Sequence, residues 1–205
     1  MNRLPTLFLG FILTFLSAWV GLIAVPYFQF GNLKPEVTED NTYSPPNPAG
    51  SAIAGELVYG ANGCVYCHTQ QVRNKIDTSD GQYGWGRQTV ARDYISQRRI
   101  FLGTMRTGPD LANTGASKSE AMWQHLHLYN PQHFVGASIM PSFRYLYVTQ
   151  KIKGQRSAFA LDESRLPPGD RPPAGYEIVP TQDARDLVAY LLSLNRSYSL
   201  KEVKE

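Results

Sequence analysis

The feature that most constrains this chain is a pair of cysteines, three positions apart and followed by a histidine, in Cys64-Val65-Tyr66-Cys67-His68. They are the only two cysteines of the 205 residues, so a disulfide framework between distant segments is excluded. C-x-x-C-H is the attachment pattern of c-type haem. Two thiols one helical turn apart can reach both vinyl groups on one edge of a porphyrin, and the adjacent imidazole then lies under the iron. A domain built on this pattern has to fold around a large apolar macrocycle.

Two other chemistries use a C-x-x-C pair. A thioredoxin-like redox motif would follow a β-strand, and no strand-like alternation precedes Cys64. A structural zinc site would need Cys64, Cys67, His127 and His133, but 59 residues lie between Cys67 and His127, far from finger-like spacing. We therefore expect one covalent haem c on Cys64 and Cys67, with zinc or thiol redox chemistry as the alternatives.

An apolar run of nineteen residues, Leu7 to Val25, lies near the N-terminus and carries no charged side chain. As a helix rising about 1.5 Å per residue, it would span the roughly 30 Å hydrocarbon core of a bilayer. A cleaved signal peptide is the alternative, but its apolar region usually covers about 7 to 15 residues, and no A-x-A-like site ends this run. We expect residues 1–30 to be a retained transmembrane anchor.

The charges around the apolar run predict its orientation. Arg3 precedes the run, whereas the segment that follows it is net negative. By the positive-inside rule the N-terminus is cytoplasmic and the rest of the chain is exported. We therefore expect a single-pass protein of the bacterial inner membrane, in contact with lipid, whose haem domain faces the periplasm. The formal net charge of +3, without a run of five like charges, excludes a nucleic-acid-binding surface.

The exported part has the pattern of a mainly α-helical domain with long loops and few strands. Residues 31–50 are rich in proline, asparagine and acidic residues and predict a linker. Helical periodicity is present over residues 51–61, 117–129 and 181–194, and more weakly over residues 90–100. The predicted fold class is a single N-terminal transmembrane helix followed by a class I cytochrome c-like domain. Its predicted parts are a haem c domain of residues 51–197, a loop-rich insertion at 151–180 and a C-terminal tail of residues 198–205.

A six-coordinate haem iron needs a second axial ligand besides His68, and Met140 is the favoured candidate. Met140 precedes Pro141, which disfavours the α conformation and places the methionine in a loop, from which its thioether can reach the iron. Met122 lies on an apolar helix face, where a methionine more often fills the core. Met105 lies on what we expect to be the proximal wall. A bis-histidine haem, through His125 or His127, is the remaining alternative.

The stretch Arg106-Thr107-Gly108-Pro109-Asp110-Leu111 is predicted to form the wall beside His68. A ligating imidazole normally donates its second N–H to a carbonyl or a carboxylate, and the Pro109 carbonyl is the candidate acceptor. A plain Gly-Pro turn is the alternative interpretation. The candidate donors to the haem propionates are Arg73, Trp85, Arg87 and Arg106.

Taken together, these motifs resemble the membrane-bound mono-haem subunit (subunit II) of cbb3-type cytochrome c oxidases, from the anchor to the final helix. The shared stretches are Gly55–Tyr59 before C-x-x-C-H, Thr69–Arg73, Arg106–Leu111, Trp123–Pro131 and Met140-Pro141. The block Trp123-Gln124-His125-Leu126-His127-Leu128-Tyr129-Asn130-Pro131 and R-T-G-P-D-L are narrower signals than C-x-x-C-H or Met-Pro, which any c-type cytochrome can show. Residues 87–105 match the family only loosely, and the Pro-rich stretch 154–175 is interpreted as a local elaboration.

The resemblance implies that Cys64 and Cys67 hold the haem and that His68 and Met140 are its axial ligands. It also implies that the chain relays electrons from a further c-type cytochrome to an oxygen-reducing membrane subunit. Such an iron has no open coordination position, so we do not expect the chain to be catalytic alone. The alternatives are the small c-type subunit of a nitric oxide reductase and, from other classes, a haem-based sensor or a thiol-redox exported domain.

Overall fold

A continuous apolar helix of 27 residues, Leu4–Phe30, begins the computed structural model, which describes residues 3–38, 41–74, 76 and 78–203. It consists of α1 (Leu4–Trp19), a π-helical turn (Val20–Ala24) and α2 (Val25–Phe30), and none of its residues is buried by the rest of the chain. At about 1.5 Å per residue the helix is roughly 40 Å long, enough to cross a bilayer. The predicted helix of membrane-spanning length is confirmed, and its orientation stays a prediction.

Residues 31–50, predicted as a linker, contact the head domain in the parts that the structure describes. Within them, β1 (Glu36–Val37) pairs antiparallel with β2 (Tyr43–Ser44). Arg92, only 5% exposed, donates to the Lys34 carbonyl and forms ion pairs with Glu36 at 3.4 Å and Glu202 at 2.6 Å. One buried guanidinium therefore joins the segment after the anchor to the C-terminal tail.

Two long helices, one at each end of the head sequence, form its frame. The helices in chain order are α3 (Gly50–Ala61), α4 (Thr114–Ser117), α5 (Ala121–Tyr129), α6 (Pro131–Phe134) and α7 (Gln182–Ser193). Helices α3 and α7 pack on each other at Gly55, where a Cβ atom would lie 1.9 Å from the Asp186 carbonyl oxygen. Because only glycine permits this approach, Gly55 sets how closely the two helices pack.

A second two-stranded sheet borders the region predicted as a loop-rich insertion. Strand β3 (Tyr147–Lys151) pairs antiparallel with β4 (Tyr176–Pro180), with Tyr147 opposite Pro180. Between the strands lie loops and short 3₁₀ turns, yet Leu161, Leu166 and Ile178 of this region are each only 1% exposed. Each such side chain contributes about 1.5–3 kcal/mol by its burial. The segment is therefore part of the main core.

The main core lies between α5, α7 and the β3–β4 sheet. It contains Tyr59, Leu126, Leu187 and Ile178, and the partly buried Cys64 and Met140 pack against it. The C-x-x-C-H loop and the Met-Pro loop thus border the same core. A mainly helical head with few strands, after a helix long enough to span a membrane, confirms the predicted fold class.

Two predicted helices differ from the structure in extent. The stretch 90–100 contains only the 3₁₀ turn Ala91–Tyr94, because buried tertiary contacts of Arg92 and Asp93 replace helix propagation there. The helix predicted over 117–129 begins at Ala121, because Lys118 has non-helical backbone angles (φ −136°, ψ 62°) that end the preceding short helix.

Candidate haem-binding site

The C-x-x-C-H loop begins directly after α3. Gly63 has a φ of +69°, a left-handed conformation that glycine adopts without strain, and it turns the chain into the 3₁₀ turn Cys64–Tyr66. The His68 amide then donates to the Cys64 carbonyl at 2.9 Å. Both thiols are free, Cys64 partly buried and Cys67 exposed, and burial raises the pKa of Cys64 to about 11. The loop therefore presents two unpaired thiols one turn apart.

The His68 imidazole is held in one orientation by the segment Arg106–Leu111, which was predicted to form the wall beside it. Its Nδ1 lies 2.7 Å from the Pro109 carbonyl oxygen. Because a carbonyl can only accept, Nδ1 carries the proton and Nε2 keeps its lone pair. Burial lowers the pKa of His68, which favours the neutral ring. A neutral imidazole oriented through Nδ1–H is the state in which histidine ligates a metal through Nε2.

Backbone and carboxylate contacts fasten this wall to the motif. The Gly108 amide donates to the Cys67 carbonyl at 2.9 Å, and the Leu111 amide donates to the Thr69 carbonyl at 3.0 Å. Asp110 Oδ2 accepts from the Gln71 amide at 2.9 Å. The stretches Thr69–Arg73 and Arg106–Leu111, distant in sequence, are therefore neighbours that fix the position of His68.

A buried carboxylate, Asp80, joins two of the predicted propionate donors. Arg106 Nη2 lies 2.7 Å from Asp80 Oδ2, and Arg73 Nη2 lies 2.9 Å from Asp80 Oδ1. The Arg106 hydrogen bond is the main cause that holds the pKa of Asp80 well below its usual range, against the effect of burial. Asp80 was not predicted from the sequence, because a single aspartate in a short turn forms no motif that would mark it as a buried ion-pair partner. The roles of Arg73 and Arg106 toward propionates stay predictions.

Of the other two predicted propionate donors, Trp85 contacts Arg106 of this network, whereas Arg87 pairs with a different carboxylate, Asp93. The Trp85 ring stacks on Tyr83, with 4.5 Å between centroids, and lies 5.1 Å from the Arg106 guanidinium carbon. Arg87 Nη2 pairs with Asp93 Oδ1 at 2.8 Å, and its Nε donates to the Tyr198 carbonyl at 3.3 Å. Arg87 thus holds the tail to the head, and its predicted propionate contact is untested, as is that of Trp85.

The three candidate methionines have different surroundings. The Met122 sulfur accepts the Asp162 amide at 3.4 Å and packs against the core, and the exposed Met105 contacts the Thr107 hydroxyl at 3.4 Å. Met140 is held through its backbone, since its amide donates to Ser138 Oγ at 3.2 Å, and its side chain is partly buried against the core. These contacts leave Met140 as our predicted axial ligand.

Two histidines of α5 lie in contrasting settings. His125 Nδ1 is 3.2 Å from the Tyr147 hydroxyl, and burial lowers its pKa to about 4. His127 stacks on Trp123 with 4.7 Å between centroids, and its buried Nδ1 has no hydrogen-bond partner. Burial, then the nearby His68 and Lys118, lower the pKa of His127 to about 4. His127 Nδ1 is therefore a buried polar atom without a partner, close enough to His68 to be affected by its charge. Its i,i+4 spacing from Trp123 in the sequence is the pattern that could have predicted the stacking of the two rings.

The donor set distinguishes between zinc and haem. Among residues 3–38, 41–74, 76 and 78–203, no group of three or more His, Cys, Asp or Glu side chains could hold a metal ion. The alternative zinc site at Cys64, Cys67, His127 and His133 is therefore not assembled. Haem fits this loop, because it needs two free thiols and one imidazole lone pair, which Cys64, Cys67 and His68 supply.

An apolar N-terminal helix, a mainly helical head and a C-x-x-C-H loop with a carbonyl-oriented imidazole are the features of a membrane-anchored c-type cytochrome. A more specific assignment follows from comparison with known proteins. The family model described as cytochrome C oxidase, mono-heme subunit/FixO, matches residues 1–164. The chain belongs to this family of mono-haem oxidase subunits. No curated protein matches the chain. This family is one of cytochrome c oxidase subunits, not the nitric oxide reductase subunits given as the alternative.

Proposed function

We propose that this chain is the electron-relay subunit of a cbb3-type cytochrome c oxidase, working through one covalent haem c. One observation carries the proposal: the Nδ1 atom of the His68 imidazole lies 2.7 Å from the Pro109 carbonyl oxygen, and His68 directly follows the loop with the two free thiols. The chain in which this occurs belongs to the mono-haem subunit family. This arrangement suits an iron ligand.

Four residues would hold the group. Cys64 and Cys67 would form thioethers with it, and His68 Nε2 and the Met140 thioether would be the axial ligands. Bound by these residues, haem would supply a reversible one-electron change. Methionine ligation raises the reduction potential, as suits the high-potential end of a respiratory chain.

The anchor and the head have separate tasks in this proposal. The Leu4–Phe30 helix would hold the chain in the bacterial inner membrane, with the head in the periplasm. There the head would accept electrons from a further c-type cytochrome and pass them to the oxygen-reducing subunit. Tethering in one membrane complex replaces a diffusional encounter with a high effective concentration, which increases the rate of transfer.

Haem attachment is tested on the denatured chain. Replacement of Cys64 and Cys67 together by serine should remove all haem staining from the chain on a denaturing gel, because no thioether remains. Tyr66→Phe is the matched control, since Tyr66 lies in the same loop, is 77% exposed and contributes no thiol. Persistent covalent haem in the double serine variant would refute the attachment site.

The relay role is tested by oxygen uptake. Membranes lacking this chain would be complemented with the full chain or with a fragment that begins after residue 32, and supplied with reduced cytochrome c. We expect the fragment to keep its visible spectrum and to lose most of the oxygen uptake, because it no longer stays at its partner. Full-rate respiration without any form of the chain would rule out an obligatory relay.

A further inference from the structure

One hydrogen bond between side chains joins the two loops that carry the proposed haem ligands. Asn62 follows α3 and lies two residues before Cys64 of the C-x-x-C-H loop. Tyr145 lies in the 3₁₀ turn Arg144–Leu146, directly after the Met-Pro loop, which we define as residues 138–143. The Tyr145 hydroxyl donates to Asn62 Oδ1. The contact therefore connects segments that are 83 positions apart in the sequence.

Both partners of this hydrogen bond are supported by fixed parts of the head. Asn62 Nδ2 donates to the Val58 carbonyl of α3 at 2.8 Å, so its Oδ1, which can only accept, is turned toward the Tyr145 hydroxyl. The Tyr145 ring lies 5.9 Å from the ring of Phe143, centroid to centroid. Phe143 is 8% exposed, and its amide donates to the Leu128 carbonyl at 2.9 Å. The bond thus runs between α3 and the main core.

The start of the Met-Pro loop is held by Gln132 of α6. Gln132 Nε2 donates to the Met140 carbonyl and, at 3.4 Å, to the Ser138 carbonyl. The Met140 amide donates to Ser138 Oγ, so both backbone polar groups of Met140 are bound by side chains. To the described part of the chain, no amide from Ile139 to Ser142 donates to a backbone carbonyl. Side-chain contacts therefore fix a loop that contains no helix or strand.

The position of Met140 relative to the C-x-x-C-H loop decides whether its thioether can reach the iron. A free loop spreads over many conformations, and holding it in one of them costs conformational entropy. Hydrogen bonds that are formed before the iron bond offset part of this cost, as in any preorganised binding site. A loosened loop would leave the sixth coordination position open in a larger fraction of molecules, and a small external ligand could then bind there.

We propose that Asn62, Tyr145 and Gln132 are positioning residues that keep the sixth coordination position closed. This inference rests on the proposed function, in which Met140 is the axial ligand. Asn62 and Tyr145 hold the end of the Met-Pro loop at the C-x-x-C-H loop, and Gln132 holds its start at α6. A closed position restricts the haem to electron transfer. Covalent attachment does not depend on these side chains, because it needs only the two thiols.

Imidazole, a small external ligand of haem iron, is the probe. The haem-loaded full chain in detergent, in its ferric state, is titrated with imidazole, and the visible spectrum gives both the affinity and the strength of the methionine band. We expect Tyr145→Phe and Gln132→Ala to bind imidazole about three- to tenfold more tightly, as for the loss of one hydrogen bond. Tyr176→Phe is the matched control, because Tyr176 is a 41% exposed tyrosine of β4, outside both loops. It should bind imidazole like the wild type.

A double variant tests whether Asn62 and Tyr145 act together. Asn62→Ala and Tyr145→Phe remove the same hydrogen bond, so together they should increase imidazole affinity by less than the product of the two single effects. Asn62→Asp keeps an acceptor oxygen for the Tyr145 hydroxyl, and its affinity should lie closer to the wild type than that of Asn62→Ala. Independent effects of the two changes, or wild-type affinity in all the single variants, would overturn the positioning role.

Two further measurements separate this inference from the function on which it rests. Covalent haem per chain, measured on a denaturing gel, should be unchanged in every variant. Met140→Leu should bind imidazole at least as tightly as any variant of the three positioning residues. If it does so while those variants match the wild type, only the positioning role is wrong. If Met140→Leu binds imidazole like the wild type, Met140 is not the axial ligand, and the proposed ligand set fails together with this inference.

Discussion

Gly108 packs so closely on His68 that a Cβ atom at residue 108 would lie 2.3 Å from His68 Cε1 and 2.6 Å from Nδ1. No real Cβ contact is this short, so the absence of a side chain at Gly108 is a condition for the observed imidazole position. The neighbouring Pro109 carbonyl receives Nδ1–H at 2.7 Å. Together the two residues set both the position and the rotation of the ring.

Gly108→Ala should therefore displace His68. We expect a large decrease in haem per chain, and in the haem that remains we expect a weakened His68 bond and a changed visible spectrum. Gly136→Ala is the control, because apart from its two chain neighbours no residue has an atom within 4 Å of its Cβ position. Alkaline pyridine spectra measure the haem content per chain. Visible spectra and potentiometric titration measure the change in the haem that remains. A Gly108→Ala protein with the wild-type spectrum and potential would show that the close packing has no role.

Met140→Leu should keep covalent haem, abolish the weak methionine charge-transfer band at the red end of the spectrum, and lower the reduction potential. Leucine fills a similar volume without a ligating sulfur, so packing changes little. Met122→Leu and Met105→Leu are the matched controls, because their sulfurs contact Asp162 and Thr107. Loss of the band in either control variant, with Met140→Leu unchanged, would overturn the ligand assignment.

The parts of the fold that sequence predicted well have local causes. Thr181 caps α7, its hydroxyl accepting the Ala184 amide at 3.3 Å, and the helical spacing of Leu187, Tyr190 and Leu191 follows, so this helix was predicted to within one residue at each end. The apolar helix Leu4–Phe30 was also predicted from local sequence, because its length and its apolar composition together identify it.

The missed parts depend on contacts between distant segments. The β3–β4 pairing joins residues about thirty positions apart, and each strand is only five residues long, so neither stands out among the loops. Asp80 gives no local signal either, because its partners Arg73 and Arg106 come from both sides of it in the chain. A cavity of about 430 Å³ that Arg196 lines likewise forms only where α3, the end of α7 and the Pro45–Pro48 segment meet.

The Asp80 network predicts a pH dependence of stability. Because Arg106 and Arg73 hold the pKa of Asp80 below its unfolded value of about 3.9, Asp80 stabilises the fold above that pH. This contribution is lost as the pH falls from about 4 through the folded pKa. Asp80→Asn should lower the unfolding temperature at pH 7 by several degrees or more and flatten its pH dependence below pH 4.

The matched control for Asp80 is Asp183→Asn, an exposed change in the first turn of α7, which should lower stability only slightly. Thermal unfolding of the haem-loaded chain between pH 2 and pH 7 gives both curves. If Asp80→Asn and Asp183→Asn give the same curves, the buried network does not stabilise the head.

The last prediction concerns Arg92, which joins the segment after the anchor to the C-terminal tail. Its guanidinium binds the Lys34 carbonyl, Glu36 at 3.4 Å and Glu202 at 2.6 Å, and Lys201 Nζ lies 3.5 Å from Glu36. Removal of a buried partner leaves the other charges uncompensated, so the segment should open locally. Arg92→Gln should therefore speed cleavage after Glu36 by glutamyl endopeptidase about tenfold or more in the detergent-solubilised chain.

Glu202→Gln should produce a smaller increase in the same cleavage rate, because Arg92 keeps its contacts with Lys34 and Glu36. Arg98→Gln is the control, since Arg98 is exposed and lies only six residues after Arg92. Mass spectrometry of timed digests identifies the cut at Glu36 and gives its rate. Equal rates in the wild type, Arg92→Gln and Glu202→Gln would mean that Arg92 does not hold the segment in place. A faster cut in Arg92→Gln and a smaller increase in Glu202→Gln, with the head spectrum unchanged, would show that the segment between anchor and head is held in place by ion pairs.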